Sequence, residues 1–141
     1  MDACIQIYRS QARQIIKPKA YALAEQMAVS FVSIKITGAQ QQWGSCSRRK
    51  RINISWRLMM ADDDVIKYVL VHENAHLIEM NHSPRFWAIV EGVLPDYRER
   101  QKRLRELQKK LAEESWEEKP KGRKQSDEGS DRSGYTRHDR F

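Results

Sequence analysis

Three of the chain's four histidines, His72, His76 and His82, fall within eleven residues. The first two bound His72-Glu73-Asn74-Ala75-His76, an H-E-x-x-H sequence. On a helix, residues i and i+4 share one face, so both imidazoles can reach one metal ion. Glu73 then stands beside the metal without having to ligate it. From there it can take the proton of a metal-bound water. A catalytic zinc uses three protein ligands and one open position. His82 can be the third ligand if the chain turns back after the helix, and Asn81 tolerates the left-handed C-cap of such a turn. The pattern predicts a zinc hydrolase with one Zn2+ per chain on His72, His76 and His82, and Glu73 as its catalytic acid/base. Coincidence competes weakly: H-E-x-x-H arises in a chain this long at a rate on the order of a few per thousand. His138 lies near the C-terminus and is expected to be inert.

The elements that must position these residues can be read from periodicity. Asp62, Asp63 and Asp64 offer an N-cap and first-turn carboxylates for a helix beginning near Val65 and running to about Met80. That helix is apolar nearly all round, so it should be buried, with Val69, Leu70, Val71, Leu77 and Ile78 as packing support. Ser83-Pro84 reads as an N-cap followed by proline at the first helical position, starting a helix over about 84–93. Pro95 opens a last helix whose Leu104, Leu107 and Leu111 form a narrow, weakly packing stripe. Upstream, residues 3–28 look helical, with Ile5, Ile15, Ile16, Leu23 and Met27 near one stripe and Pro18 restarting a second helix. Residues 30–37 alternate as a strand. Two more short strands are expected at 43–47 and 52–55, joined by the basic turn Arg48-Arg49-Lys50-Arg51.

The chain has 141 residues with 26 Lys+Arg against 19 Asp+Glu, a net charge of +7. That length suits one domain, expected over 1–116, and excludes a TIM barrel. Residues 117–141 hold no Leu, Ile, Val or Met and are expected to be a disordered charged tail. No apolar run of about 18 residues spans a membrane, and no secretory h-region is visible. Cys4 and Cys46 do not make a disulfide framework, which points to free thiols and a cytoplasmic location. The positive excess lies in residues 1–60, so nucleic acid is one partner that this half could bind.

The His72–His82 spacing equals the metzincin pattern, but Glu79 stands where those enzymes carry glycine, and there is no Met-turn signal. A closer likeness runs through several motifs in order. These are Trp43-Gly44-Ser45-Cys46-Ser47, Ile52–Leu58, Val65–Glu73, Ala75-His76-Leu77, Asn81-His82-Ser83 with Phe86-Trp87, and Leu94–Tyr97. Over about residues 5–107 the chain resembles the YgjP-like metal-dependent hydrolases, small bacterial zincins. The resemblance implies zinc on His72, His76 and His82, with Glu73 as catalytic acid/base. It also implies an α+β, zincin-like fold: a small, mainly antiparallel sheet packed on helices, with the metal on the long helix. Asn74 departs from the family by standing where an apolar residue, often Leu, is usual. Family members also carry an N-terminal β-rich region ahead of Ile5, which this chain is expected to lack.

Three functional readings suit this chemistry. A peptidase would use zinc and Glu73 on a peptide carbonyl, with Trp43, Gly44 and Ser45 lining the cleft; the same strand would equally serve as plain core. A nucleotide pyrophosphatase or phosphate-ester hydrolase would hold phosphates on Arg57, Arg48, Arg49 and Arg51, although a charge run is more often a solvated turn. The spacing is also shared with SprT- and WLM-like DNA-associated proteases. Arg57 and Tyr68 are the side chains considered for oxyanion stabilisation.

Overall fold

The structure is a computed structural model, and residues 2–114 are described. The expected tail, 117–141, lies outside them. The element order is α1 (Asp2–Gln26), β1 (Ser33–Thr37), β2 (Gly44–Cys46), β3 (Arg51–Ser55), a 3-10 turn (Trp56–Met60), α2 (Asp63–Ala75), α3 (Pro84–Val93) and α4 (Tyr97–Glu114).

The α+β class is as expected, and the sheet is mixed. Its order is β1-β3-β2, with β1 parallel and β2 antiparallel to β3. After β1 the chain crosses the end of the sheet, forms β2 on the far side, and returns as β3 through the middle. The β2–β3 hairpin therefore supplies the antiparallel pairing, and the return through the middle makes the β1–β3 pair parallel. Side chains alternate across the strands. Ile34, Ile36, Ile52 and Ile54 are buried, whereas Ser33, Lys35 and Arg51 on the opposite face are exposed. The basic turn is a hairpin tip: Arg48, Arg49, Lys50 and Arg51 are exposed, and Ser47 Oγ accepts from Arg49 N at 3.2 Å and Arg51 N at 3.3 Å.

Helix α2 occupies the centre. Val65, Ile66 and every residue from Tyr68 to Ala75 are buried, as an all-round apolar helix requires. Each fully buried Val, Ile or Leu contributes about 1.5–3 kcal/mol of transfer free energy. The helix ends earlier than its hydropathy suggested. His76 is its C-cap, so Leu77 is only half-buried and Ile78 is 40% exposed. Asp62 is the N-cap by position, without a side-chain capping bond.

Helix α1 is continuous through Pro18 and does not restart there. Ile5, Ala12, Ile16, Ala20, Leu23 and Ala24 are buried and stay in phase across the proline, which is itself exposed. Burial of this stripe outweighs the lost backbone bond, a cost of about 3 kcal/mol. Ile15 points outward at 44% exposure, and the alanines take the inward positions. Helix α4 is held more firmly than its leucine stripe implied. Leu104 is fully buried, Arg100 Nη1 donates to Asp64 O at 3.0 Å, and Arg103 bonds Asp64 Oδ2 and, at 3.3 Å, Asp62 Oδ2.

Candidate metal centre

His72 and His76 project from the last turn of α2, one turn apart, with ring centroids 5.0 Å from each other. The helix stops at His76, and residues 77–83 bring His82 back. Leu77 N, Ile78 N and Glu79 N donate to carbonyls at 74 and 75 over 2.9–3.0 Å, so the exit stays tightly wound. Asn81 has no left-handed backbone; among the described residues only Ala28 and Lys50 combine a side chain with positive φ. The chain turns at 76–78, directly after the shortened helix, and bends again at 80–81. Ser83 then caps α3, accepting from Phe86 N at 3.3 Å, with Pro84 opening the helix.

The three rings converge. His82 lies 5.2 Å from His72 and 4.9 Å from His76 between centroids. One ligand atom from each of the three lies within 4.8 Å of the others. His72 Nε2 and His82 Nε2 are 3.3 Å apart. Two nitrogens at about 2.0–2.1 Å from a tetrahedral zinc stand about 3.3–3.4 Å from each other. The donor set, three imidazoles, also suits zinc. The residues therefore fit the ion.

Aromatic rings wall the cluster. Phe86 stacks on His76 at 4.4 Å and meets His72 edge-on at 4.9 Å. Trp87 stacks on His82 at 5.7 Å and is backed by Tyr97 at 5.3 Å. Two of the rings, His72 and His76, are also aligned through their second nitrogens. His76 Nδ1 lies 3.1 Å from Glu79 O. A carbonyl only accepts, so Nδ1 carries the proton and Nε2 presents its lone pair.

Glu73 is fully buried. Its chain lies against β2: a Cβ built on Gly44 would sit 3.2 Å from Glu73 Cγ and 3.1 Å from Asn53 O. Gly44 is what lets the strand pass this close to the helix. The other residues singled out on the sheet are disposed differently. Ser45 is buried and pairs with Asn53 Nδ2 at 3.5 Å. Arg57 is buried, lies over Trp56 at 4.5 Å, and donates to Gly38 O at 2.8 Å and Ala39 O at 3.0 Å. Trp43 and Arg57 both line a cavity of about 380 Å³ between the 39–42 loop and the end of α4. Tyr68 is fully buried with its hydroxyl 3.5 Å from His72 Nδ1, the nitrogen turned away from the cluster. It stands behind His72, on the side away from the other two histidines. Its i−4 spacing from His72 was the available signal; the partner on α4, Gln101, had none.

An α+β fold that mounts two histidines and a glutamate at the end of one buried helix, with a third histidine brought back beside them by the segment that follows, defines a zincin-type hydrolase scaffold. The chain belongs to the YgjP-like family: the model of its metallopeptidase domain matches residues 2–107. No curated protein matches the chain. Among solved structures it is similar to the metallopeptidase zymogen abylysin of Pyrococcus abyssi, at 21% identity and a TM-score of 0.59. The match covers 64% of this chain and 91% of that one, and shows a shared fold. Among the described residues, no helix is long and apolar enough to cross a membrane.

Proposed function

We propose that the protein is a zinc-dependent metallopeptidase, with His72, His76 and His82 holding the ion and Glu73 acting as general base and acid. The observation that carries this reading is the convergence of three histidine ligand atoms within 4.8 Å, with Glu73 buried at the adjoining helical position. When bound, zinc supplies a Lewis acid that polarises the scissile carbonyl and acidifies water. Glu73 accepts the proton of the attacking water and returns it to the leaving amine.

The substrate is an extended peptide. Strand β2 lies at a sheet edge, with no strand on its far side among the described residues. Gly44 sets it against Glu73. A peptide paired along Trp43, Gly44 and Ser45 places its backbone beside the glutamate. Arg57 serves that strand indirectly by fixing the carbonyls of the loop leading into it.

The test compares wild type with Glu73→Gln, both loaded with zinc, on casein and on nucleoside triphosphates. We expect casein cleavage by wild type and about one zinc per chain in both proteins. The variant should lose about 10²–10⁴ in turnover, the usual worth of a positioned acid/base. Retained turnover in Glu73→Gln would exclude its assigned role. Cleavage of triphosphates without cleavage of casein would replace the peptidase reading.

A further inference from the structure

We propose that Gln101 on α4, acting through Tyr68, is a positioning residue for His72 and thereby sets zinc affinity. The proposal rests on the reading that the three histidines hold the ion. Gln101 Nε2 donates to Tyr68 Oη at 3.3 Å. Tyr68 Oη in turn lies 3.5 Å from His72 Nδ1. His72 Nε2 points to the cluster, 3.3 Å from His82 Nε2. With Nε2 reserved for a cation, Nδ1 carries the proton and donates to Tyr68 Oη. The phenol oxygen thus receives one bond from the ligand and one from α4, and the imidazole plane follows the phenol.

The surroundings make this a fixed mount. Tyr68 and His72 are both fully buried, and the two rings meet edge-on at 5.8 Å. On α4, Gln101 sits between Tyr97 and Leu104, at positions i+4 and i−3 of one helical face, and both neighbours are buried. It is the polar residue of that inward stripe. Arg100 and Arg103 flank it and bind Asp64 near the start of α2. The helix is therefore pinned on either side of the glutamine. Partners that orient a metal-bound imidazole are typically worth about 10–100-fold in metal affinity.

A simpler role would be to satisfy a buried hydroxyl. The two roles differ in what they change. A partner that only satisfies Tyr68 supports the fold of the metal-free protein. A positioning partner supports the ligand geometry as well. The experiment uses the full chain and the variants Gln101→Met, Tyr68→Phe and the double variant. Zinc affinity is measured by competition with a chromophoric chelator, and melting temperature on the metal-free forms. We expect each single variant to bind zinc about 10–100-fold more weakly. The double variant should be no weaker than Tyr68→Phe alone, because the glutamine works through the phenol. Wild-type affinity in Gln101→Met or Tyr68→Phe overturns the proposal, as does a double variant whose loss is the product of the two singles. Gln101→Met also carries the test alone if Tyr68→Phe does not fold. A wild-type chain that takes up no zinc overturns the metal reading itself, which separates that failure from failure of the network.

Discussion

Asn74 is the residue of α2 whose amide is buried among apolar neighbours without a hydrogen-bond partner. It is 1% exposed, and neither its Oδ1 nor its Nδ2 has a hydrogen-bond partner. It follows Glu73 directly and shares a helical face with Leu70 and Val71, both buried. A buried amide without a partner costs about 1–3 kcal/mol. Leucine branches at the same atom and carries no polar group. We expect Asn74→Leu to raise the urea midpoint, with a gain of about 1–2 kcal/mol. An unchanged m-value would show that only stability moved. A lowered midpoint would mean that the extra bulk strains the packing. His72, His76 and Glu73 face other directions on the helix, so zinc content should not change.

At the scale of elements, the end of α1 holds a conformational cost that one substitution would relieve. Ala28 has φ 59°, the left-handed region. The chain is held there by Val29 N donating to Ala24 O at 2.9 Å and Ala28 N to Glu25 O at 3.1 Å. This bond pair is a Schellman motif, whose left-handed position is usually glycine. An L-residue pays roughly 1–2 kcal/mol there, and glycine gives back roughly half of that through its freer unfolded chain. Ala28→Gly is expected to raise stability by about 0.5–1 kcal/mol in thermal or urea unfolding. Ala28 is exposed, so no packing is lost. A destabilised variant would show that the backbone term does not dominate at this turn. The same helix shows why local rules alone misjudge it. Pro18 breaks the bond ladder, yet the buried stripe from Ile5 to Ala24 runs through it.

Across the whole molecule, α4 is clasped to the start of α2 by charge. The Arg103 hydrogen bond, aided by the charges of Arg103 and Arg100, holds the Asp64 carboxyl below its usual range; partial burial opposes the shift. The lowered folded value makes Asp64 stabilising when ionised. Its contribution is complete above the ordinary carboxylate value of 3.8 and fades as pH falls through the lower folded value. The side chain is 45% exposed, so solvent screening limits the term to about 1 kcal/mol or less. Melting curves should show Asp64→Asn less stable than wild type at neutral pH, with the gap closing as the pH falls through the lowered folded value of Asp64. A gap that persists at low pH would assign the loss to something other than the ion pair. Gln101, which bonds Tyr68 on α2, rides on the same clasp.

The sequence by itself determined what one turn of helix can determine. His72, Glu73 and His76 follow from the 3.6-residue period, and Ser83-Pro84 starts α3 because a capping hydroxyl and a proline act within one turn. Short strands around 33–37, 44–46 and 51–55 were likewise legible from alternation and β-branched residues. Only the tertiary structure decided the rest. Strand order is a matter of which edge the returning chain meets, so a parallel β1–β3 pair leaves no mark on local periodicity. The stop at His76 is a chain reversal that hydropathy cannot see, because Leu77 and Ile78 continue the apolar pattern. That reversal brings His82 to the other two histidines. Gln101 reaches Tyr68 across 33 residues, a bond created by the docking of α4 on α2. Local backbone geometry fixes neighbours one turn apart; packing fixes everything further away.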